Sequence, residues 1–211
     1  MKTNRILTIA AIVCLALFSN AADTANSGTT LSKQDREFAA KYLKETEKNF
    51  LNSVKGLSDA QWNYKPAPDR WSVAEVSEHI ALAEDFLSNM ISDKIMKSPE
   101  ASAEQRAAVK GKEEQILKMV PDRSKKAQAP EPLKPRHAFA TREDLLKAFS
   151  SKRDANIKYL KDTKDELRAH IAPSPMGEFD AYQWYLFMAA HSKRHTAQIE
   201  EVKADPNFPK K

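Results

Sequence analysis

The chain has 211 residues, with 34 Lys and Arg against 29 Asp and Glu and a formal net charge of +5. Its charges are interleaved, and apart from Lys125-Lys126 no basic patch or stripe of the kind nucleic-acid binding requires is found. A single cysteine, Cys14, excludes a disulfide framework.

Lys2 and Arg5 precede an apolar run from Ile6 to Phe18, and Ser19-Asn20-Ala21-Ala22 follows. This order predicts a secretory signal peptide over residues 1–22, cleaved after Ala21 or Ala22. The run is shorter than the roughly 20 residues that span a bilayer. A membrane anchor is therefore the second reading, and no stable membrane insertion is expected after cleavage. Val13 before Cys14, and the position of Cys14 inside the run, disfavour a lipoprotein. The mature chain, periplasmic or extracellular, would keep a net charge near +3 (5 minus 2) and no cysteine. Any metal would then be held by nitrogen and oxygen. About 185 residues remain, enough for one domain with its own core, placed at residues 30–205.

With four glycines and few alternating apolar runs, the chain reads as all-α. The first helix is expected from Ser32 to Lys55, with Phe38, Tyr42, Phe50, Val54 and Leu57 as its apolar stripe and Gly56 at the left-handed position beyond its end. Pro66 and Pro68 keep the connector after Leu57 out of helix. Ser72 and Glu75 form a capping box that starts the second helix. Its inward stripe is Val76, His79, Ala83, Phe86 and Met90, flanked by Ile80 and Leu87. Imidazole on a buried face needs partners for both nitrogens.

Residues 97–140 form a long crossover. Ser98-Pro99 starts an additional helix reaching Val120, anchored by Ile116, Leu117 and Val120. Pro121, Pro130, Pro132 and Pro135 then space out a loop. Such a loop serves either as a lid or site wall, or as packing across the bundle end. Thr141 and Asp144 open the third helix, with Leu145, Phe149, Asn156 and Leu160 inward and Leu146, Arg153 and Ile157 beside them. Arg153 is expected at the stripe's edge, reaching solvent. A short helical turn at Thr163–Glu166 and a loop from Ala172 to Phe179 follow. Asp180 caps the fourth helix with Gln183 at its third position. The fourth stripe reads Trp184, Met188, His191, His195, Gln198 and Val202, and Pro206 ends it. Four amphipathic helices with one long crossover predict a four-helix bundle.

Of five histidines, His137 and His170 fall in or beside loops and receive no role. His191 and His195 are four apart, hence on one helix face, and His79 is placed to meet them from a facing helix. One core histidine is ordinarily a hydrogen-bonded packing residue. Three on two facing helices suit a transition-metal site with an open position. Neutral imidazoles are needed for ligation, so metal affinity is expected to fall as pH drops through about 6.5.

Leu57-Ser-Asp-x-Gln-Trp62, Trp71-Ser-Val-x-Glu-Val-x-x-His79-Ile80 and Tyr182-Gln-Trp184 with His191-x-x-Arg194-His195-x-x-Gln198-Ile199 resemble the DinB-like superfamily, the DinB/YfiT-like four-helix-bundle metalloenzymes. The resemblance covers residues 32–204. It implies a metal triad of one histidine on the second helix and two on the fourth, at His79, His191 and His195. It also implies a divalent ion, variously zinc, nickel, iron or manganese in this family. Three nitrogens without sulfur point to zinc or nickel. Members of the family act as thiol-dependent transferases or isomerases, or have no assigned reaction. DNA binding is not implied by the family's name.

Partners of the ligands are expected in Glu75 and Gln198, with Tyr182 and Trp184 lining the approach. Glu75 or Glu78 could serve as a general base, although Glu78 is rotated about 100° from His79. Small thiols are scarce outside the cytoplasm, which shifts the expectation from thiol transfer towards a metal-dependent hydrolase acting on a small molecule. The alternatives are a non-catalytic metal- or ligand-binding, stress-related bundle and a bundle whose histidines bind nothing. A homodimer is the expected assembly.

Overall fold

The computed structural model describes residues 28–210; the expected signal peptide and Cys14 lie outside them. The main helices begin where side chains satisfy their free amides. α1 (Lys33–Val54) starts at a capping box of Ser32 and Asp35, and α3 (Val73–Met90) at Ser72 and Glu75. α6 (Arg142–Asp162) starts at Thr141, whose hydroxyl accepts from the Asp144 amide. α7 (Ala181–Lys203) starts at Asp180 and Gln183. Gly56 has φ +69°, the left-handed conformation expected after α1.

α1 packs against α6 and α7, and α3 packs against the same two helices. α1 therefore lies diagonally across the bundle from α3, and α6 from α7. Consecutive helices are thus not always neighbours: the connector 55–72 and the segment 163–180 make the two diagonal steps, whereas the long crossover joins the adjacent helices α3 and α6.

Two apolar clusters fill the interior. One gathers Leu43, Leu87, Ile91, Leu160, Tyr182, Leu186 and Met188; the other gathers Phe50, Val76, Ile80, Phe149, Ile199 and Val202. Phe50 and Phe149 meet edge to face at 4.9 Å. Between the clusters every bundle helix contributes a polar residue: Thr46, Glu84, Arg153 and Ser192, all buried. Arg153 does not reach solvent as expected, being 0 % exposed. Its guanidinium lies side-on to Glu84 (Nε–Oε1 2.8 Å, Nη2–Oε2 2.6 Å) and also donates to the Leu43 carbonyl, Thr46 and Ser192. All five N–H donors are used. A chain of donors and acceptors on three other helices turned this arginine inward, and no helical periodicity encodes that.

Several local expectations are corrected. The connector contains a helical turn, α2 (Asp59–Asn63), capped by Ser58 and Gln61. Its prolines come after the turn and do not oppose it. The expected single helix reaching Val120 is two, α4 (Ala103–Val109) and α5 (Glu113–Met119), broken at Gly111 with φ +82°. The helical turn expected at Thr163–Glu166 does not form, and a hydrogen-bonded turn at Leu167–Ala169 stands after it. The loop before α7 is a hairpin, β1 (Ile171–Ser174) with β2 (Gly177–Asp180), turning through Pro175-Met176 and entering β2 at Gly177 with φ +101°. Phe38 and Phe86, expected inward, are 43 % and 44 % exposed. The buried stripes are rotated towards Ala39, Leu43 and Phe50 on α1 and Ile80, Glu84 and Leu87 on α3, because each helix must face two neighbours.

Among the described residues, no helix is long and apolar enough to cross a membrane.

Candidate metal centre

The capping box at Ser72 sets the start of α3 and so the rotation that turns His79, two turns on, towards α7. His191 and His195, one turn apart on α7, face it. His79 Nε2 lies 3.2 Å from His191 Nε2 and 3.2 Å from His195 Nε2. One ligand atom from each of the three falls within 4.8 Å of the others. His79 is 2 % exposed, and His191 and His195 are half-buried.

The remaining ring nitrogens define the tautomers. His79 Nδ1 lies 2.7 Å from the Leu133 carbonyl, and His195 Nδ1 lies 2.8 Å from Gln198 Oε1. Both partners are acceptors, so Nδ1 carries the proton and donates in each case. The Nε2 lone pairs of His79 and His195 therefore point into the cluster. A tetrahedral ion with metal–nitrogen bonds of about 2.0–2.1 Å separates its ligand nitrogens by roughly 3.3 Å. The three imidazoles fit such an ion in donor type, His79 and His195 in tautomer, and His79 in its spacing from both partners.

Protonation does not compete at neutral pH. Burial pushes His79 below the ordinary imidazole range. Burial, with the neighbouring His79 ring as second cause, lowers His195 to about 3. His191 is held well below its usual value by burial and by His195 and His79. The neutral form that ligates metal is thus the one the fold favours.

The walls come from three segments. Trp71, from the connector, tilts against His79 with centroids 5.0 Å apart, and Phe187 stacks on His191 at 6.3 Å. The crossover supplies Leu133, at the end of a 3₁₀ turn (Glu131–Leu133), so part of this loop is a site wall. Arg123 from the same crossover pairs with Glu201 through two contacts of 2.5 and 2.7 Å and approaches Gln198 Oε1 at 3.4 Å. Arg194 donates to the carbonyls of Val120, Asp122 and Lys125.

Of the expected partners, Gln198 is found on His195. Glu75 is not found on His79: its carboxylate accepts from the Ser72 amide at 2.7 Å and pairs with Lys65 at 2.9 Å. Glu78 accepts the amides of Arg136, His137 and Ala138, and is therefore no free base. Tyr182 donates to the Asp35 carbonyl, and Trp184 packs between Phe179 and Phe187; both are buried rather than at the approach. His137 and His170 lie away from the triad, with His170 Nδ1 beside the Ser98 carbonyl at 2.9 Å. The Leu133 carbonyl was missed because every residue carries one. Arg123 was missed because nothing local links it to a helix 75 residues away.

The motif at Leu57–Trp62 has a structural use. Gln61 completes the α2 cap and donates to the Pro209 carbonyl at 2.9 Å, while Arg142 lies 4.4 Å over the Trp62 ring.

Comparison with known proteins agrees with this architecture. YuaE of Bacillus subtilis strain 168, itself an uncharacterized protein, is 29% identical over 153 residues, 72% of this chain and 89% of its own. YfiT from Bacillus subtilis is described as a probable metal-dependent hydrolase with an unusual four-helix bundle topology. It aligns with a TM-score of 0.51 at 13% identity, over 85% of this chain and 92% of its own, a likeness of fold. The DinB superfamily model matches residues 42–199, which take in His79, His191 and His195. A four-helix bundle with this match over most of its length belongs to the DinB superfamily.

Proposed function

We propose that this chain is an exported, metal-dependent hydrolase of a small molecule, with His79, His191 and His195 holding a divalent ion through Nε2. The observation that carries the reading is the convergence of the three nitrogens with two tautomers already set. Two neutral imidazoles facing each other by lone pairs are stabilised by a shared cation and by little else. An all-nitrogen donor set suits zinc or nickel. The description of YfiT as a probable metal-dependent hydrolase supports the same reading. Export rests on the order of charged, apolar and small residues over 1–22.

A divalent ion at such a site lowers the pKa of water towards about 7 and polarises a substrate oxygen. The protein's part is to keep the donors neutral and oriented. The Leu133 carbonyl holds the Nδ1 proton of His79, and Gln198 holds that of His195. Trp71 and Phe187 present apolar faces beside the donors and limit water there.

One observation favours a second reading, a non-catalytic metal-binding module. Both glutamates near His79 are engaged, Glu75 as a cap and Glu78 on backbone amides. Thiol transfer is the weaker enzymatic alternative for a chain read as exported.

Elemental analysis of the tag-free mature chain tests the site. About one equivalent of divalent metal is expected in wild type and little in His195→Ala. Wild type free of metal under conditions that retain bound ions would end the proposal. Hydrolysis of ester, amide and phosphoester panels that is lost in His195→Ala separates the enzyme from the binding module. Activity that survives loss of the metal would remove the ion from the chemistry.

A further inference from the structure

Glu78 neighbours a proposed ligand yet turns its carboxylate to the crossover, and the residue is 6 % exposed. It accepts from the amides of Arg136 (2.9 Å, Oε1), Ala138 (2.8 Å, Oε1) and His137 (3.2 Å, Oε2). Three consecutive amides converging on one carboxylate form an anion nest in which the anion is a side chain of the same protein. His137 has φ +58°, the only non-glycine with positive φ among the described residues, and this conformation helps turn successive amides to one side.

Leu133 lies three residues before this clasp. Its carbonyl accepts the His79 Nδ1 proton at 2.7 Å. The 3₁₀ turn fixes the carbonyl's direction from the other side, with the Leu133 amide donating to Pro130 and the Lys134 amide to Glu131. Glu78 and His79 are adjacent on α3. The helix therefore holds the crossover with one side chain and is oriented by it through the next. The ties of Arg123 to Glu201 and of Arg194 to the carbonyls of Asp122 and Lys125 hold the start of the loop, and between Pro121 and Ala140 the 3₁₀ turn is its sole regular element, which leaves the Glu78 clasp next to the Leu133 segment.

The geometry assigns Glu78 as a positioning residue of the metal centre: by gathering the amides of 136–138 it seats the Leu133 carbonyl on His79 and so fixes the tautomer that presents Nε2. This assignment rests on the proposed three-histidine site. Loss of a partner that orients a ligand typically lowers metal affinity by about 10–100-fold. Glu78→Gln keeps the shape and one acceptor oxygen, but turns an NH2 group towards one of the three amides. Glu78→Ala removes all three contacts.

The test measures zinc affinity of the full mature chain by competition with a chromophoric chelator, for wild type, Glu78→Gln and Glu78→Ala. Each sample is first shown to be folded by circular dichroism. Affinity about 10-fold weaker in Glu78→Gln, and weaker again in Glu78→Ala, is expected. Nitrogen-15 spectra of the zinc-loaded chains should show His79 as the Nδ1–H tautomer in wild type and a weakened Nδ1–H signal in Glu78→Gln. Trypsin should also cut the crossover faster after Arg136 in the variant. If Glu78→Ala does not fold, Glu78→Gln still decides. Wild-type affinity and an unchanged His79 signal in Glu78→Gln would overturn the assignment, even if the variant melts earlier. Wild type that binds no zinc would instead overturn the three-histidine site itself.

Discussion

Replacing Arg153 by methionine removes the cation that neutralises Glu84 while keeping much of the aliphatic volume. Glu84 is 1 % exposed and would retain one side-chain donor, Asn156 at 3.0 Å. The Leu43 carbonyl, Thr46 and Ser192 would each lose the guanidinium as a partner. Breaking a buried ion pair from one side costs about 3–5 kcal/mol, because the surviving charge stays in a low-dielectric site. Against total stabilities of about 5–15 kcal/mol, this leaves a marginal fold. Removing both charges is a different perturbation. Arg153→Met with Glu84→Met leaves no uncompensated charge and should recover at least about half of the loss. Urea unfolding at pH 7 of chelator-treated protein reads both variants without a stabilising metal contribution. A single variant costing less than about 1 kcal/mol with the wild-type m-value would refute the reasoning. So would a double variant equal to the sum of the singles.

Acid should destabilise the metal-free chain earlier than carboxylate titration would. Folded-state values of the three histidines are lowered, so between about 6.5 and those values the unfolded chain binds more protons. Stability is complete above about 6.5 and is lost as pH falls. For His195, lowered to about 3, the loss at pH 5 is up to about 2 kcal/mol. His195→Gln should flatten this dependence, and a urea midpoint constant from pH 7.5 to 5 would contradict it. The same burial corrects the expectation that metal affinity falls at about 6.5: in the folded chain the decline should begin at lower pH, as isothermal titration with zinc from pH 7.5 to 5 would show. Gln198→Leu removes the acceptor for His195 Nδ1–H and should weaken zinc binding about 10–100-fold in the chelator competition; equal affinity would show that Gln198 does not orient the ligand. Asp180→Ala takes away the α7 cap and a partner of Arg168, and should cost about 1–2 kcal/mol in urea.

The bundle was legible because its signals are local. Ser72 with Glu75 and Asp180 with Gln183 are caps written within four residues, and they fixed where α3 and α7 begin. Once those starts were set, the 3.6-residue period placed His79, His191 and His195 on inward faces, and the family motif supplied their grouping. Phe38 and Phe86 show the limit of periodicity: a stripe gives the apolar side of a helix, whereas its rotation depends on which two neighbours it meets. What only the tertiary structure decided are interactions between residues far apart in the chain. Arg153 was turned inward by acceptors on α1, α3 and α7. Glu78, a candidate base from its place beside a ligand, became the anchor of a loop 58 to 60 residues away. The His79 tautomer was set by a backbone carbonyl, a group common to every residue and therefore silent in any sequence pattern. Helix geometry repeats, so the sequence alone put the three imidazoles on inward faces; only the tertiary structure decided which His79 nitrogen carries the proton, because that depends on a carbonyl brought in by the crossover.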